Sequence, residues 1–378
     1  MRIGILHNSL NVQGGSERFT VDLIKVLKDR GHEVHLATFD KVNWNHVEEN
    51  MVSYVKPDKC FSILPWRPRV FGIYQRIFLM LAVKWLAQGA DVTINAHSDH
   101  LFCKTDIVYI HWVSATQGTN LDFQYPWWKA PYVFPYQIIL WINSKVAKGD
   151  RIFIANSHYT KEKLLAYHGI HADRVICPPV HTEIYRKLLC QSKRENMVLT
   201  IGRYSPERAL GCIIEIAKRT RSYIRFVVIG QAAKPSELAM ANALIGNARM
   251  VGLPIEFHVN VSQDFKREMI SKAKVVLQPS HVEHFGIGLC EAISGGCLPV
   301  AVNEGGHLEV LDLLDGSTAY RYGNFGEAAR QIERAIESWN PQLAEFASRQ
   351  MERFNLERFG HEIMNMLTEF ASGHAKPK

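Results

Sequence analysis

A chain of 378 residues is long enough to bury two hydrophobic cores, and 47% hydrophobic against 21% charged is the balance of a folded chain, which excludes an intrinsically disordered one. The net charge of +7 lies mostly in the first half; with no nucleic-acid motif beside it, a nucleic-acid partner is not expected, and phosphorylated substrates, anionic lipid or a plain solvated surface remain. The seven cysteines are scattered, odd in number and free of Cys-x-x-Cys pairs, which argues against a disulfide framework or a zinc site and for a reducing, cytoplasmic compartment.

Arg2 to His7 reads as a buried parallel strand, so no leader peptide is expected. Asn8 to Gly15 is a polar loop ending in glycine, Ser16 is a candidate helix cap, and Phe19, Leu23, Ile24, Val26 and Leu27 give a helix that stops at Gly31. With Val34 to Thr38 as the next strand, this is the β-loop-α-β opening of a nucleotide-binding α/β domain. The loop lacks Gly-x-Gly-x-x-Gly, so a dinucleotide is not indicated. Residues 41–70, with Pro57, Pro65 and Pro68, read as irregular. Ile73 to Leu86 is apolar at helical spacing, and Val92 to Asn95 and Ile107 to Ile110 read as strands. His97 and His111 fall just past those strands, where ligands bind in open parallel sheets.

Leu121 to Ile142 carries Phe123, Tyr125, Trp127, Trp128, Tyr132, Phe134, Tyr136 and Trp141, and three prolines interrupt it. Trp and Tyr beside Lys suit a membrane interface, so segments 71–86 and 121–142 are candidate peripheral membrane contacts; an aromatic loop packed on the core is the other reading. No run of 18 apolar residues occurs, so no spanning helix is expected.

Arg151 to Ala155 reads as the last strand of the first domain, His158 to His168 as a helix, and Cys177-Pro178-Pro179-Val180 as an interdomain connection. The expected division is residues 1–180, residues 181–355, and a final helix and tail over 356–378 that is a candidate to pack back on the first domain. In the second domain, strands are expected at Met197 to Ile201, Ile224 to Ile229 and Ile255 to Val259, with helices at 210–218 and 263–272.

Pro279 to Val302 then sets Glu283 and Glu291 eight residues apart around Phe285-Gly286-Ile287-Gly288, in a strand, loop, helix, strand pattern. A helix start near Gly286 presents free N–H groups and a positive dipole end to a phosphate, and glycine permits close approach. Glu291, inside the helix, can accept both hydroxyls of a ribose. By spacing alone, the two glutamates equally fit charges that favour the dipole on a solvated face. Arg203 and Arg208, five apart across the turn after the second domain's first strand, can converge on a diphosphate or stand as surface charges. No Asp-x-Asp motif or metal-ligand cluster is present, so fixed cations and helix N-termini would stabilise a leaving diphosphate without metal.

Glu283-His284-Phe285-Gly286-Ile287, followed by Glu291-Ala292, Gly295-Gly296 and Pro299-Val300, resembles the Glu-x7-Glu signature of the retaining glycosyltransferases of GT-B fold, family 4 in particular. Gly14-Gly15-Ser16-Glu17, Tyr109-Ile110-His111, Gly202-Arg203 and the turn Asn303 to Gly306 resemble further parts of that family's pattern. The resemblance implies an α/β protein of two Rossmann-like domains with parallel sheets facing across a cleft, the acceptor on the first and the nucleotide-sugar on the second. It implies donor binding by Gly15, Arg203, Arg208, Asn260, Glu283, Phe285, Gly286, Ile287 and Glu291, and catalysis by His111, Glu283, Arg203 and Arg208. The family usually has lysine where Arg208 stands, which alters the geometry on the sugar side. It further implies a hexosyltransferase with no cofactor and no metal, most similar to mannosyltransferases that use GDP-mannose on polyprenol-linked saccharides at the cytosolic face of a membrane. A UDP-sugar with a soluble or glycolipid acceptor is the alternative donor reading. An epimerase or phosphorylase of the same fold, and a non-catalytic nucleotide-sugar-binding subunit, are the alternatives of other classes.

Overall fold

The computed structural model describes residues 1–12, 14–68, 74–98, 103–113, 151–190 and 193–373, with isolated positions between 131 and 139. The expected aromatic contact over 121–142 and the first positions of segment 71–86 therefore lie outside the described residues. Two compact units are present: Met1–Pro179 together with Leu356–Lys378, and Val180–Asn355. The prolines at 178 and 179 stand at the division, where neither helix nor ladder can continue.

The first unit contains β1 (Arg2–Leu6), α1 (Gly15–Asp29), β2 (Glu33–Asp40), α2 (Trp44–Asn50), β3 (Lys59–Leu64), α3 (Leu79–Ala87), β4 (Val92–Asn95), β5 (Ile107–Ile110), β6 (Ile152–Ala155), α4 (His158–His168) and β7 (Arg174–Val175). The strands form one parallel sheet in the order β3-β2-β1-β4-β5-β6-β7. Chain order reverses between β1 and β4, the switch point at which open sheets gather ligand-facing loops. Ile3, Ile5, Phe19, Ile24, Val34 and Leu36 build the core between the sheet and α1.

Three readings of this unit are corrected. Residues 41–70 hold α2, whose cap Asn43 accepts the backbone N–H of His46, and β3. β3 was not legible because it is half exposed, with Lys59 and Cys60 facing solvent and Ser62 among its apolar residues, so it shows neither a continuous apolar run nor a clean alternation. β6 is not the last strand: β7 pairs with it and, at two residues, is too short to show a pattern. Ser16 does not cap α1: the helix begins at Gly15 after an extended Gly14, and the Ser16 hydroxyl donates instead to Glu17. α3 buries Leu79, Ala82, Val83 and Leu86 while Phe78 beside it and Leu81 stay 55% and 57% exposed, so the helix is apolar on its outer face as well.

The second unit contains α5 (Thr182–Arg186), β8 (Glu195–Ile201), α6 (Cys212–Ala217), β9 (Arg225–Gly230), α7 (Pro235–Met250), β10 (Ile255–Val259), α8 (Gln263–Lys272), β11 (Ala273–Gln278), α9 (Ile287–Ser294), β12 (Leu298–Val302), α10 (Leu308–Leu311), β13 (Tyr320–Tyr322), α11 (Phe325–Ser338) and α12 (Pro341–Gln350). Its parallel sheet runs β10-β9-β8-β11-β12-β13. α7 occupies a stretch where the alanine-rich sequence offers no clear amphipathic stripe. Pro235 opens it, and the Glu237 carboxylate accepts the N–H groups of Ala233 and Lys234 at 2.8 and 3.1 Å.

The last helix, α13 (Leu356–Gly373), belongs to the first unit. It places Phe359, Ile363, Met366, Leu367 and Phe370 in that unit's core, with Phe359 edge-on to Phe19 at 5.3 Å.

Candidate active site

In the second unit the expected donor residues gather at the carboxyl edge of the parallel sheet. β8 and β9 end so close together that a Cβ on Gly230 would lie 1.8 Å from the Gly202 carbonyl oxygen, so only glycine fits there. Past Gly202, buried Tyr204 donates its hydroxyl to the His258 carbonyl at 3.1 Å and fixes the start of the turn. Ser280 donates to the Glu207 carbonyl at 2.7 Å, joining that turn to the loop after β11. The result is an ion pair between the Arg208 guanidinium and the Glu283 carboxylate, side chains 75 residues apart in the chain.

Glu283 is buried. Gln278 Nε2 donates to the same oxygen at 3.3 Å, and the His284 N–H to the other at 3.2 Å. Burial alone would raise its carboxyl; Arg208, with His307 and His284, outweighs that and holds it below the usual glutamate value. Arg203 lies nearer solvent, its guanidinium 3.4 Å from Glu207. The turn Asn303 to Gly306, whose role the sequence leaves open, grips the same loop: the Gly306 N–H donates to the Glu283 carbonyl at 2.6 Å. Buried His307 follows and donates Nε2–H to the Val302 carbonyl at 2.8 Å; desolvation keeps its imidazole below the ordinary value.

Gly286 caps α9 in the left-handed region, at φ 97° and ψ 53°, which turns the chain from the Glu283 loop into the helix. Ile287 is half-buried there. The Phe285 side chain is buried beside the loop, edge-on to Phe354 at 5.1 Å. Asn260, left-handed at φ 56°, spends its amide on Ala232, accepting that N–H at 2.8 Å and donating to the carbonyl at 3.3 Å; it shapes the loops after β9 and β10. Glu291 has no exposed surface. Tyr185 donates to one of its oxygens at 3.0 Å and the Lys266 ammonium contacts the other.

In the first unit, Gly15 is exposed at the first position of α1. His111 is buried just past β5; its Nε2 donates to the Ala96 carbonyl at 3.1 Å, and its ring lies against Phe19 and Tyr109 with centroids 4.6 and 4.7 Å away. Arg203, Arg208, Glu283 and the Gly286 helix start are thus together on one edge, Glu291 lies beneath, and His111 and Gly15 belong to the other unit.

Two family models match the chain: Glycosyltransferase Family 4 over residues 13–184 and Glycosyl transferases group 1 over residues 182–352. The chain is a family 4, group 1 glycosyltransferase. Among curated relatives of this glycosyltransferase, GDP-Man:Man(3)GlcNAc(2)-PP-Dol alpha-1,2-mannosyltransferase of Xenopus laevis is 28% identical over 35% of this chain and 29% of its own length. The enzymes of that name from Mus musculus and Neurospora crassa are 24% and 25% identical over 47% and 54% of this chain and 39% and 40% of their own. The matches therefore span less than half the length of those relatives. Sucrose-phosphate synthase from Thermosynechococcus elongatus superposes with a TM-score of 0.79 at 14% identity, over 99% of this chain and 100% of that one. WaaG, a glycosyltransferase involved in lipopolysaccharide biosynthesis, gives 0.70 at 14% identity over 97% and 100%. These neighbours show the GT-B fold.

Sequence reasoning on the glycosyltransferase missed Gln278, His307, Lys266 and Tyr185, which come from separate elements and form no local motif. One titration follows from the Glu283 environment. Because its folded-state carboxyl lies below the unfolded value of 4.5, its contribution is fully present above that pH and is lost as pH falls through the folded value. The difference in melting temperature between wild type and Glu283→Gln is expected to be level above about pH 5 and to shift steadily below it. Melts from pH 3 to 7 test this, and a difference independent of pH contradicts it.

Proposed function

We propose that this glycosyltransferase moves a mannosyl group from GDP-mannose to a lipid-linked saccharide, with retention at the anomeric carbon and without a metal ion. The observation that carries the reading is the Arg208–Glu283 pair beside the Gly286 helix start. A leaving nucleoside diphosphate needs positive charge already in place, and two guanidiniums with the first-turn N–H groups of α9 supply it. Arg203, only paired to Glu207 at 3.4 Å, is the more adjustable of the two. Glu283, oriented by Arg208 and Gln278, is assigned to hydroxyls of the donor sugar, and Glu291 to the ribose. Asn260 holds the loops against which the base would lie, Gly15 would let the start of α1 come close to the donor, and His111 is assigned to the donor sugar.

In this reading the leaving phosphate takes the proton of the acceptor hydroxyl on the face where the new bond forms, which retains configuration. Arg203→Ala and Arg208→Ala should each lower kcat by about a hundredfold or more while the free nucleoside binds unchanged. Activity should survive EDTA; a strict requirement for added Mg²⁺ or Mn²⁺ refutes the metal-free route.

The mannosyl donor rests on the activity for which relatives 23–28% identical to this chain are named. UDP-sugars remain the second reading, favoured by one observation: Anabaena HepE, seen with UDP and glucose, shares the fold at a TM-score of 0.72, at 18% identity over 97% of this chain and 99% of that one. GDP and UDP compared as product inhibitors decide between them, since a site built to bond one base rejects the other strongly. GDP is expected to inhibit at the lower concentration, and the reverse order overturns the mannosyl assignment.

A lipid-linked acceptor calls for a membrane-facing surface. Among the described residues no helix is long and apolar enough to cross a membrane. Trp66 is 64% exposed, and Phe78, Met80 and Leu81 are exposed at α3, with Lys84 among them for anionic headgroups. Peripheral contact at the cytosolic face, through this segment and the aromatic stretch 121–142, fits that composition. Sedimentation with phosphatidylserine-containing vesicles should be strong at low salt, weaken at high salt, and fall in Leu81→Asp. Full activity on a water-soluble acceptor with no vesicle binding would favour a soluble substrate.

A further inference from the structure

The two arginines of the candidate site are held in unequal ways. Arg208 is committed to the buried Glu283, which Gln278 also holds. Arg203 is the more exposed, its side chain at 39%, and among the described residues its side-chain partner is Glu207, at 3.4 Å. Glu207 starts from a fixed backbone. Pro206 opens its turn, the Ser280 hydroxyl donates to its carbonyl at 2.7 Å, and Ala209, left-handed at φ 51°, closes the turn. Its side chain is only 18% exposed, so the carboxylate is largely withdrawn from solvent beside Arg203.

Stability alone gives a weak reason for this carboxylate. One long contact to a half-exposed guanidinium contributes little, while most of the charged side chain leaves water. Its larger effect is on charge. Arg203 and Arg208 with Glu207 and Glu283 are two cations and two anions, so these four side chains balance while the site is empty. A nucleoside diphosphate brings further negative charge and must take Arg203 from Glu207 or share it. Whatever steadies the arginine in the empty site is subtracted from the affinity for the anion that uses it, because binding measures only the difference between the two states. Glutamine in place of Glu207 would keep the shape of the side chain and an acceptor oxygen, and would lose the competing charge.

We propose that Glu207 is a positioning residue that holds Arg203 while the site is empty and competes for it with the bound diphosphate, which weakens the hold on the nucleoside diphosphate product and lets it leave. The proposal rests on the assignment of Arg203 to the donor diphosphate. The test measures binding of GDP and guanosine by calorimetry, the nucleoside in competition with the diphosphate, and UDP and uridine in parallel. Wild type, Glu207→Gln and Arg203→Ala are compared by the ratio of nucleoside to diphosphate dissociation constants, which isolates the phosphates from the base and the ribose.

Glu207→Gln should raise that ratio about fivefold or more, the scale of one charge removed from beside the phosphates in a partly solvated site, and leave nucleoside affinity unchanged. The same variant should be inhibited by the diphosphate product at correspondingly lower concentration. Arg203→Ala should lower the ratio about tenfold or more, the scale of hydrogen bonds between charged groups. A purely structural role for Glu207 would move nucleoside and diphosphate affinity together and keep the ratio. An unchanged or lowered ratio in Glu207→Gln, with the expected loss in Arg203→Ala, overturns the competing role and leaves the diphosphate assignment standing. An unchanged ratio in Arg203→Ala, or a wild type that binds neither diphosphate more tightly than its nucleoside, overturns that assignment and the proposal with it. If Glu207→Gln does not fold, Glu207→Ala decides by the same ratio.

Discussion

The Arg208 guanidinium against the buried Glu283 carboxylate is the interaction on which the second unit's site depends. A carboxylate withdrawn from water stays charged only where a cation and hydrogen-bond donors replace the solvent, and Glu283 has Arg208, Gln278 and the His284 N–H. Those partners arrive from the turn after β8, the end of β11 and the loop itself. The contact of Gly230 with Gly202, the Ser280 bond to Glu207 and the grip of Gly306 on the Glu283 carbonyl all keep that meeting point fixed. Fixed charge next to a helix start suits the leaving diphosphate of the proposed reaction, because it needs no rearrangement as the charge develops.

The two carboxylates of one eight-residue motif occupy different surroundings. Glu283 stands at the sheet edge with an arginine, an always charged partner. Glu291, two turns into α9 at most, lies wholly inside with a lysine and a tyrosine. Helical geometry sends them apart: the left-handed Gly286 turns the chain between them, so the first glutamate belongs to the loop and the second to the helix's buried face.

The first unit follows a different logic. Its sheet carries His111 at a strand end, held by the Ala96 carbonyl and by Phe19, and Phe19 in turn packs on Phe359 of the chain's last helix. α13 thus supports from behind the strand end that bears the histidine. α3 supports the sheet with one face and offers Met80 and Leu81 outward with the other.

The sequence by itself determined the elements whose patterns are local. β10 and α8 have the expected bounds, since a short strand alternating Ile255, Phe257 and Val259 with polar residues and a serine-capped amphipathic helix are each patterns within one stretch of chain. The Glu-x7-Glu signature, with its glycine turn and the Gly-Arg turn upstream, carried the family, and the structure gathers Arg203, Arg208, Glu283 and Gly286 on one sheet edge. Tertiary structure alone decided the rest. β3 is a strand because β2 offers it an edge, and Phe285 turns inward because Phe354 is there to receive it. Asn260 is committed to Ala232, and Lys266 and Tyr185 meet Glu291, across separations that no spacing rule encodes. Periodicity reports which face of an element is buried; which polar groups meet inside that burial is fixed only when the helices and strand ends come together and each buried donor and acceptor must find a partner.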